Sequence, residues 1–198
     1  MFHRFMLFLA ATVFAGTFSM AQAANPQVDL DTSAGRIRLE LYPEAAPKTV
    51  ENFLAYVNAK HYDGTQFHRV IKGFMIQGGG FGTDFKQKPT RPPIGNEAEQ
   101  SSKAGLLNAP GTISMARTGD PNSATSQFFI NVANNAPLNF RDPSAGGIGY
   151  TVFGRVIEGM DVVNKIAATA TGSGGPFPTD VPQERVIINK ATVVAATK

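Results

Sequence analysis

Cysteine and tryptophan are both absent from the 198 residues of this chain. Without cysteine the protein has no disulfide, no thiolate ligand for zinc and no thiol nucleophile, so thiol-based redox chemistry and cysteine hydrolases are excluded. Stability must therefore come from the packing of a hydrophobic core. A chain of this length, with 42% hydrophobic residues, is long enough to build one as a single domain.

Histidine is scarce as well, with His3, His61 and His68 as the three examples. So few histidines without cysteine make a poor zinc set, and the sequence has no H-E-x-x-H motif. A G-x-S-x-G nucleophile elbow is also missing. The glycine run at residues 78–80 lacks the Lys-Ser or Lys-Thr of a phosphate-binding loop. We therefore predict no metal site and no cofactor, and we find no supported hydrolase triad.

Charge of one sign is not concentrated anywhere in the chain. The 18 Lys and Arg residues face 15 Asp and Glu residues, for a formal net charge of +3. Because Arg4 is the only charged residue before Ala24, the rest of the chain carries about +2. This balance argues against a nucleic-acid partner, which would require a basic patch or stripe.

Long hydrophobic runs are missing except at the N-terminus. There a stretch at residues 5–18 follows Arg4 and precedes the small-residue sequence Ala21-Gln22-Ala23. This order is that of a secretory signal peptide, so we predict that residues 1–23 are cleaved and that residues 24–198 form the mature domain. The alternative is an uncleaved anchor helix, which the small-residue site disfavours.

Eight short segments have the composition and apolar alternation of β-strands. The pattern is clearest where Ile37, Leu39 and Leu41 alternate with polar residues, as in a half-buried strand. The predicted strands are residues 28–32, 36–42, 67–71, 74–77, 112–116, 128–132, 151–157 and 185–194.

Two segments have helical periodicity instead. Residues 47–60 place apolar side chains three or four positions apart, and Pro47 suits the first position of a helix. Residues 160–168 show a shorter stripe of the same kind. Eight strands and two helices favour an antiparallel sheet closed into a small barrel with helices at its ends, although a β-sandwich fits the pattern too. Residues 171–183 are predicted to be a surface loop, and residues 81–109 a long ordered excursion.

Three motifs combine apolar residues, aromatic in two of the motifs, with isolated polar side chains. They are F-H-R-V-I-K-G-F-M-I-Q-G-G at residues 67–79, G-T-I-S-M-A at residues 111–116 and S-Q-F-F-I-N at residues 126–131. Taken as residues alone, Arg69 could equally be a solvent-facing charge, and the aromatic residues could be ordinary core. Together, in this order and spacing, the motifs resemble the cyclophilin family, and the bacterial periplasmic subgroup in particular. The similarity extends from Val28 to the C-terminus.

This resemblance implies a closed eight-stranded antiparallel barrel capped by two α-helices, and a cofactor-free peptidyl-prolyl cis-trans isomerase. It assigns the catalytic role to Arg69, whose guanidinium would donate a hydrogen bond to the nitrogen of the twisted prolyl amide. The residues that it assigns to substrate binding or to support of the site are His68, Phe74, Met75, Gln77, Ala116, Arg117, Gln127, Phe129, Leu138 and Tyr150.

Three positions depart from the pattern common among eukaryotic members. Pro137 stands where many of them carry tryptophan, which argues against tight binding of cyclosporin. Tyr150 replaces a histidine, and Arg117 replaces an asparagine whose usual contact is made through its backbone. The missing tryptophan does not argue against isomerisation, so proline-containing polypeptides are the expected partners of the site.

The resemblance and the signal peptide together predict an enzyme that acts on unfolded or partly folded exported proteins in the periplasm, with release into the medium as an alternative. We expect no membrane association after cleavage. We also expect a monomer, because the chain has no heptad repeat. The competing interpretations are a proline-peptide-binding chaperone module of the same fold, without catalysis, and a secreted hydrolase.

Overall fold

The computed structural model describes residues 24–195, so the predicted signal peptide lies outside the described residues. Eleven strands and three α-helices follow one another along this part of the chain. The elements are β1 (Gln27–Thr32), β2 (Gly35–Leu41), α1 (Pro47–Asn58), β3 (Thr65–Gln66), β4 (Arg69–Ile71), β5 (Met75–Gly78), α2 (Ala98–Lys103), β6 (Thr112–Met115), β7 (Phe128–Asn131), a 3₁₀ helix (Ala136–Leu138), β8 (Val152–Glu158), α3 (Met160–Ala167), β9 (Thr171–Gly174), β10 (Phe177–Pro182) and β11 (Ile187–Val194).

Nine of the strands form one antiparallel sheet in the order β3-β11-β1-β2-β8-β6-β7-β5-β4. The two strands at the ends of this order, β3 and β4, belong to the same short segment of chain. The sheet therefore curls on itself, so that β3 pairs with β11 at one end of the strand order and β4 pairs with β5 at the other end. The predicted mainly β, antiparallel fold is confirmed. The main sheet is strongly curled and has nine strands where a closed barrel of eight was predicted, because the segment predicted as one strand at residues 67–71 is preceded by a separate short strand, β3, that pairs with β11.

The interior of the curled sheet is filled by the apolar faces of the strands and by α1. The predicted alternation in β2 is confirmed, since Ile37, Leu39 and Leu41 are fully buried. From α1, Phe53 places its ring at the centre of an aromatic cluster. Its centroid lies 5.1 Å from that of Tyr62, 5.7 Å from that of Phe128 and 5.2 Å from that of Phe153. This cluster joins the helix to β7 and β8, near the middle of the sheet.

Helix α1 begins at Pro47 as predicted but has no capping side chain of its own. The carboxylate of Glu97, almost fully buried, supplies the cap from a distant segment. Its oxygens accept hydrogen bonds from the backbone N–H groups of Lys48 (3.1 Å) and Thr49 (2.8 Å), and from the Thr49 hydroxyl (2.7 Å). A negative charge at a helix N-terminus is favourable because it satisfies free N–H groups and faces the positive end of the helix dipole.

The prediction of two helices is corrected by α2, which lies in the segment predicted as a long ordered excursion. Its six residues are mainly polar and bury only Ala98 and Ser101. So short a helix carries no measurable apolar period, and for that reason the sequence pattern does not reveal it. No helix between residues 24 and 195 combines the length and the apolar character that a membrane span requires.

The prediction of a surface loop at residues 171–183 is wrong, because this segment forms a β-hairpin of β9 and β10. Its ladder is irregular, with a register shift between Phe177 and Val181. The hairpin packs against β4, and the Phe177 ring lies 5.5 Å from the ring of His68 and 5.1 Å from that of Phe81. Its glycine, proline and serine residues have low strand propensity, so tertiary contacts hold the hairpin rather than its own pattern.

Candidate active site

A single cleft of about 170 Å³ brings together most of the residues that the sequence motifs predict to form the site. Nine of the eleven line it, although they come from segments far apart in the chain. The lining residues are Arg69, Phe74, Met75, Gln77, Ala116, Arg117, Phe129, Leu138 and Tyr150. The two that do not line this cleft are His68 and Gln127.

Strand register explains how the central side chains of the cleft come together. Arg69 of β4 is paired with Gln77 of β5, and Gln77 is paired in turn with Phe129 of β7. Directly opposed residues of neighbouring strands point to the same face of a sheet. A cationic, an amide and an aromatic side chain therefore stand in one row across three strands.

The inner part of the cleft is apolar. Met75 and Phe129 are almost fully buried. The Phe129 ring meets the Tyr150 ring edge to face, with centroids 5.7 Å apart. Leu138 completes this wall from the 3₁₀ helix, and its carbonyl accepts a hydrogen bond of 2.9 Å from the Tyr150 backbone N–H. Such a pocket suits a small apolar ring, because the ring would leave water without losing any hydrogen bond.

A short chain of polar side chains borders this apolar wall. The Nη1 group of Arg69 donates to Oε1 of Gln77 at 3.4 Å, and Nε2 of Gln77 donates to Oε1 of Gln127 at 3.0 Å. The Arg69 side chain keeps 45% of its surface exposed at the rim. Gln127 thus acts on the cleft through Gln77, while it lines a neighbouring depression. The arrangement offers a permanent positive charge beside an apolar slot.

The glycine run at residues 78–80 allows this close approach of β5 and the segment before β7. A Cβ atom at Gly80 would lie 2.5 Å from Cγ of Gln127, and one at Gly79 would lie 2.9 Å from the Phe128 ring and from the Ser126 carbonyl oxygen. Side chains at these positions would displace Gln127 from Gln77. The run therefore serves packing at the site, in agreement with its lack of a phosphate-binding motif.

Comparisons with known proteins identify the family. Residues 27–193 match the model of the family described as cyclophilin type peptidyl-prolyl cis-trans isomerase/CLD. The chain belongs to the cyclophilin family. A peptidyl-prolyl cis-trans isomerase of Streptomyces antibioticus is 58% identical over 84% of this chain and 98% of its own length. Peptidyl-prolyl cis-trans isomerase A of Dickeya dadantii is 50% identical over 94% of this chain and 93% of its own.

Solved structures agree with this assignment. A cyclophilin type isomerase of Cryptosporidium parvum, crystallised in the presence of the dipeptide Ala-Pro, has 27% identity and a TM-score of 0.66, and covers 85% of this chain and 99% of its own. The predicted resemblance to cyclophilins is confirmed. The activity of this cyclophilin is peptidyl-prolyl cis-trans isomerisation, which needs no cofactor.

Two of the positions that depart from the eukaryotic pattern contact each other at the rim of the cyclophilin cleft. The Arg117 guanidinium lies over the Tyr150 ring, 4.4 Å from its centroid. Its Nε and Nη2 groups donate to the Gly149 carbonyl oxygen at 3.2 and 3.1 Å, and Nη1 donates to that of Thr118 at 3.0 Å. Arg117 therefore holds the loop that carries Tyr150, and the two substitutions form one structural unit.

His68 lies behind the site rather than in it. Its side chain is buried against the rings of Phe81 and Phe177, at centroid distances of 4.7 and 5.5 Å. Burial is the main cause that lowers the pKa of His68 to about 4, and the positive charge of Arg69 acts in the same direction. His68 is thus neutral at pH 7, and it links the curled sheet to the hairpin of β9 and β10.

The buried His68 predicts acid sensitivity of the fold. Between pH 6.5 and about 4 the unfolded chain binds a proton at His68 that the folded chain does not, so acidification lowers the free energy of unfolding. We expect His68 to account for a loss of about 2 kcal/mol between pH 7.5 and pH 5. The variant His68→Phe, which cannot be protonated, should lose that much less over the same interval. Urea unfolding at pH 7.5, 6 and 5 measures both slopes, and equal slopes would contradict the prediction.

One contact of Arg69 was not predicted from the sequence. The carboxylate of Asp180 on β10 approaches the Arg69 guanidinium, with Oδ2 3.8 Å from Nε. Asp180 lies in the segment predicted as a surface loop, where an acidic residue is usually solvated. Only the pairing of β9 with β10 and their packing against β4 reveal that this aspartate belongs to the site.

Proposed function

We propose that Arg69 is the catalytic residue of this isomerase and that the apolar wall of the cleft holds the proline ring of the substrate. The observation that supports this proposal best is the row across three strands, in which the Arg69 guanidinium stands beside Gln77 and Phe129. The ring would lie against Phe74, Met75, Phe129, Leu138 and Tyr150. The prolyl nitrogen would then face Arg69.

The chemistry required is rotation about one bond. Amide resonance sets a barrier of ~18–20 kcal/mol, and the resonance is lost as the C–N bond twists. The prolyl nitrogen then regains its lone pair and becomes a hydrogen-bond acceptor, which the planar ground state does not offer. A guanidinium that donates to this nitrogen binds the twisted state more tightly than either planar isomer, and this difference lowers the barrier.

The polar neighbours of Arg69 orient the substrate in this proposal. Gln77 holds Arg69 on one side and can donate to a backbone carbonyl of the peptide, while Gln127 fixes the orientation of the Gln77 amide. The main chain at Ala116 and Arg117, at the edge of the cleft, pairs with the residue before proline. Positioning of this kind removes the freedom that the reacting bond would otherwise have.

The substrates that we propose are proline-containing segments of unfolded or partly folded exported proteins. Isomerisation of X–Pro bonds takes tens to hundreds of seconds without a catalyst and limits the folding of many chains. The signal peptide predicted at residues 1–23 would deliver residues 24–198 to the periplasm as a monomer. There the enzyme would act on chains that have just been exported.

The proposed function can be tested on the protein as the cell makes it. The full chain, expressed in a Gram-negative host, is expected in the periplasmic fraction with Ala24 as its first residue. This material should accelerate the cis-to-trans conversion of an Ala-Pro peptide at low temperature, in the presence of EDTA as in its absence.

Two other outcomes would change the proposal. Binding of the peptide by the folded protein without acceleration would favour a chaperone module that does not catalyse isomerisation. A product that keeps residues 1–23 and sediments with membranes would contradict the cleaved signal peptide and the soluble periplasmic enzyme.

A further inference from the structure

The hairpin of β9 and β10 places a carboxylate beside Arg69. Oδ2 of Asp180 lies 3.8 Å from Nε of Arg69, and the two side chains keep 34% and 45% of their surfaces exposed. Gln77 contacts a different nitrogen of the guanidinium, since its Oε1 atom accepts from Nη1 at 3.4 Å. Arg69 is therefore approached by two acceptors from two different elements of the fold.

The hairpin that carries Asp180 is anchored on both sides of this residue. Before it, the Phe177 ring packs against His68 and Phe81. After it, Val181 is almost fully buried and pairs with Gly172 of β9. His68 precedes Arg69 directly in the chain, so the same short segment supports the hairpin with one residue and meets Asp180 with the next. Packing on both sides thus holds the backbone of Asp180 beside the strand that carries Arg69.

The backbone conformation at Asp180 supports a role for this residue in the contact with Arg69. Its φ of 67° lies in the left-handed region, and it falls inside the register shift between Phe177 and Val181. Residues other than glycine, asparagine and aspartate adopt this conformation at a cost. The irregular ladder therefore turns one acidic residue out of the regular strand and toward the guanidinium.

We propose that Asp180 is a positioning residue for Arg69. An arginine that is about half exposed can adopt many rotamers, and contact with one amide oxygen restricts them only in part. The carboxylate of Asp180 restrains the Nε side while Gln77 restrains Nη1, which leaves the Nη2 group for the prolyl nitrogen. This inference rests on the proposed function of Arg69, because a positioned guanidinium matters for turnover only if it contacts the reacting amide.

The experiment compares Asp180→Asn with the wild-type protein in the Ala-Pro assay. Asparagine has the same shape and accepts the left-handed conformation, so the variant should fold and lose only the charge. We expect kcat to fall about fivefold, as for removal of a partly exposed ion pair, with KM changed less than about twofold. Asp180→Gly, which also accepts a positive φ, should show the same loss if the asparagine variant folds poorly.

Two controls separate positioning from a general structural effect. Glu184→Gln removes one negative charge two residues beyond β10, at a different depression lined by Ser33 and Lys165, and should leave kcat unchanged. In the Arg69→Ala background, Asp180→Asn should have no further effect, because its only proposed route of action is then missing.

The outcomes distinguish the positioning role of Asp180 from the catalytic role of Arg69. Full activity of Asp180→Asn beside a strongly impaired Arg69→Ala variant would overturn the positioning role alone. An equal loss from Asp180→Asn in both backgrounds would also overturn it, since the hairpin would then act on stability or on the cleft as a whole. Full activity of Arg69→Ala would overturn the proposed catalytic residue, and the role of Asp180 with it.

Discussion

Replacement of Arg69 by alanine is expected to lower kcat by about 100-fold to 1000-fold, with a much smaller change in KM. The guanidinium stands at the rim of the apolar cleft, where a prolyl nitrogen would lie, and its hydrogen bond becomes available only as the amide twists. Alanine removes that donor but leaves Met75 and Phe129, which would bind the ring equally in the planar and twisted states. The loss should therefore appear in turnover rather than in affinity.

The measurement is the progress curve of an Ala-Pro peptide at low temperature, recorded over a range of substrate concentrations. Arg69→Lys should recover only part of the activity, because an ammonium group is not held by the planar fork geometry that Gln77 and Asp180 contact. Arg155→Ala is a matched control. This exposed arginine on β8 contacts Glu40 and Tyr42, away from the cleft, and its loss should leave kcat unchanged. Unimpaired turnover by Arg69→Ala would contradict the proposed mechanism.

The parts of the fold that could be predicted are those whose local pattern and tertiary environment agree. In β2 the alternation at Ile37, Leu39 and Leu41 matches the burial of each residue. In α1 the proline at the first position and the apolar stripe both indicate the helix that is found. The predicted end of α1 at residue 60 is two residues beyond the observed end at Asn58. Lys60 has a positive φ of 53°, which a helix does not allow.

The parts that could not be predicted depend on contacts between distant segments. The hairpin of β9 and β10 has the composition of a loop, and it is held through Phe177 by residues about a hundred positions earlier in the chain. Asp180 and Glu97 act through such contacts, one on Arg69 and one on the N-terminus of α1. Neither has a signature that separates it from a solvated surface carboxylate.

The different locations of His68 and Arg69 follow from strand geometry. Successive side chains of an extended chain point to opposite faces, so His68 faces away from the cleft that Arg69 lines. The structure places Arg69 at the rim of the cleft and buries His68 against the rings of Phe81 and Phe177. Two adjacent residues of the motif therefore have different roles: Arg69 faces the cleft, and His68 supports the hairpin of β9 and β10.

The same alternation connects the core to the cleft in β7 and leads to the last prediction. Phe128 points inward to the ring of Phe53, while Phe129 lines the cleft. Phe53→Ala would leave a void between Tyr62, Phe128 and Phe153, and we expect it to lower the free energy of unfolding by about 4 kcal/mol.

Urea unfolding measures this loss, and Leu107→Ala is the control. Leu107 is 44% exposed, so its truncation should cost less than about 1 kcal/mol. Because Phe53 lies one layer behind the cleft, the folded fraction of Phe53→Ala should keep most of its turnover at low temperature and lose it on warming, when the barrel unfolds. A change in stability below about 1 kcal/mol would show that this aromatic cluster does not hold the barrel together. Full stability with lost turnover would instead place Phe53 in direct control of the cleft.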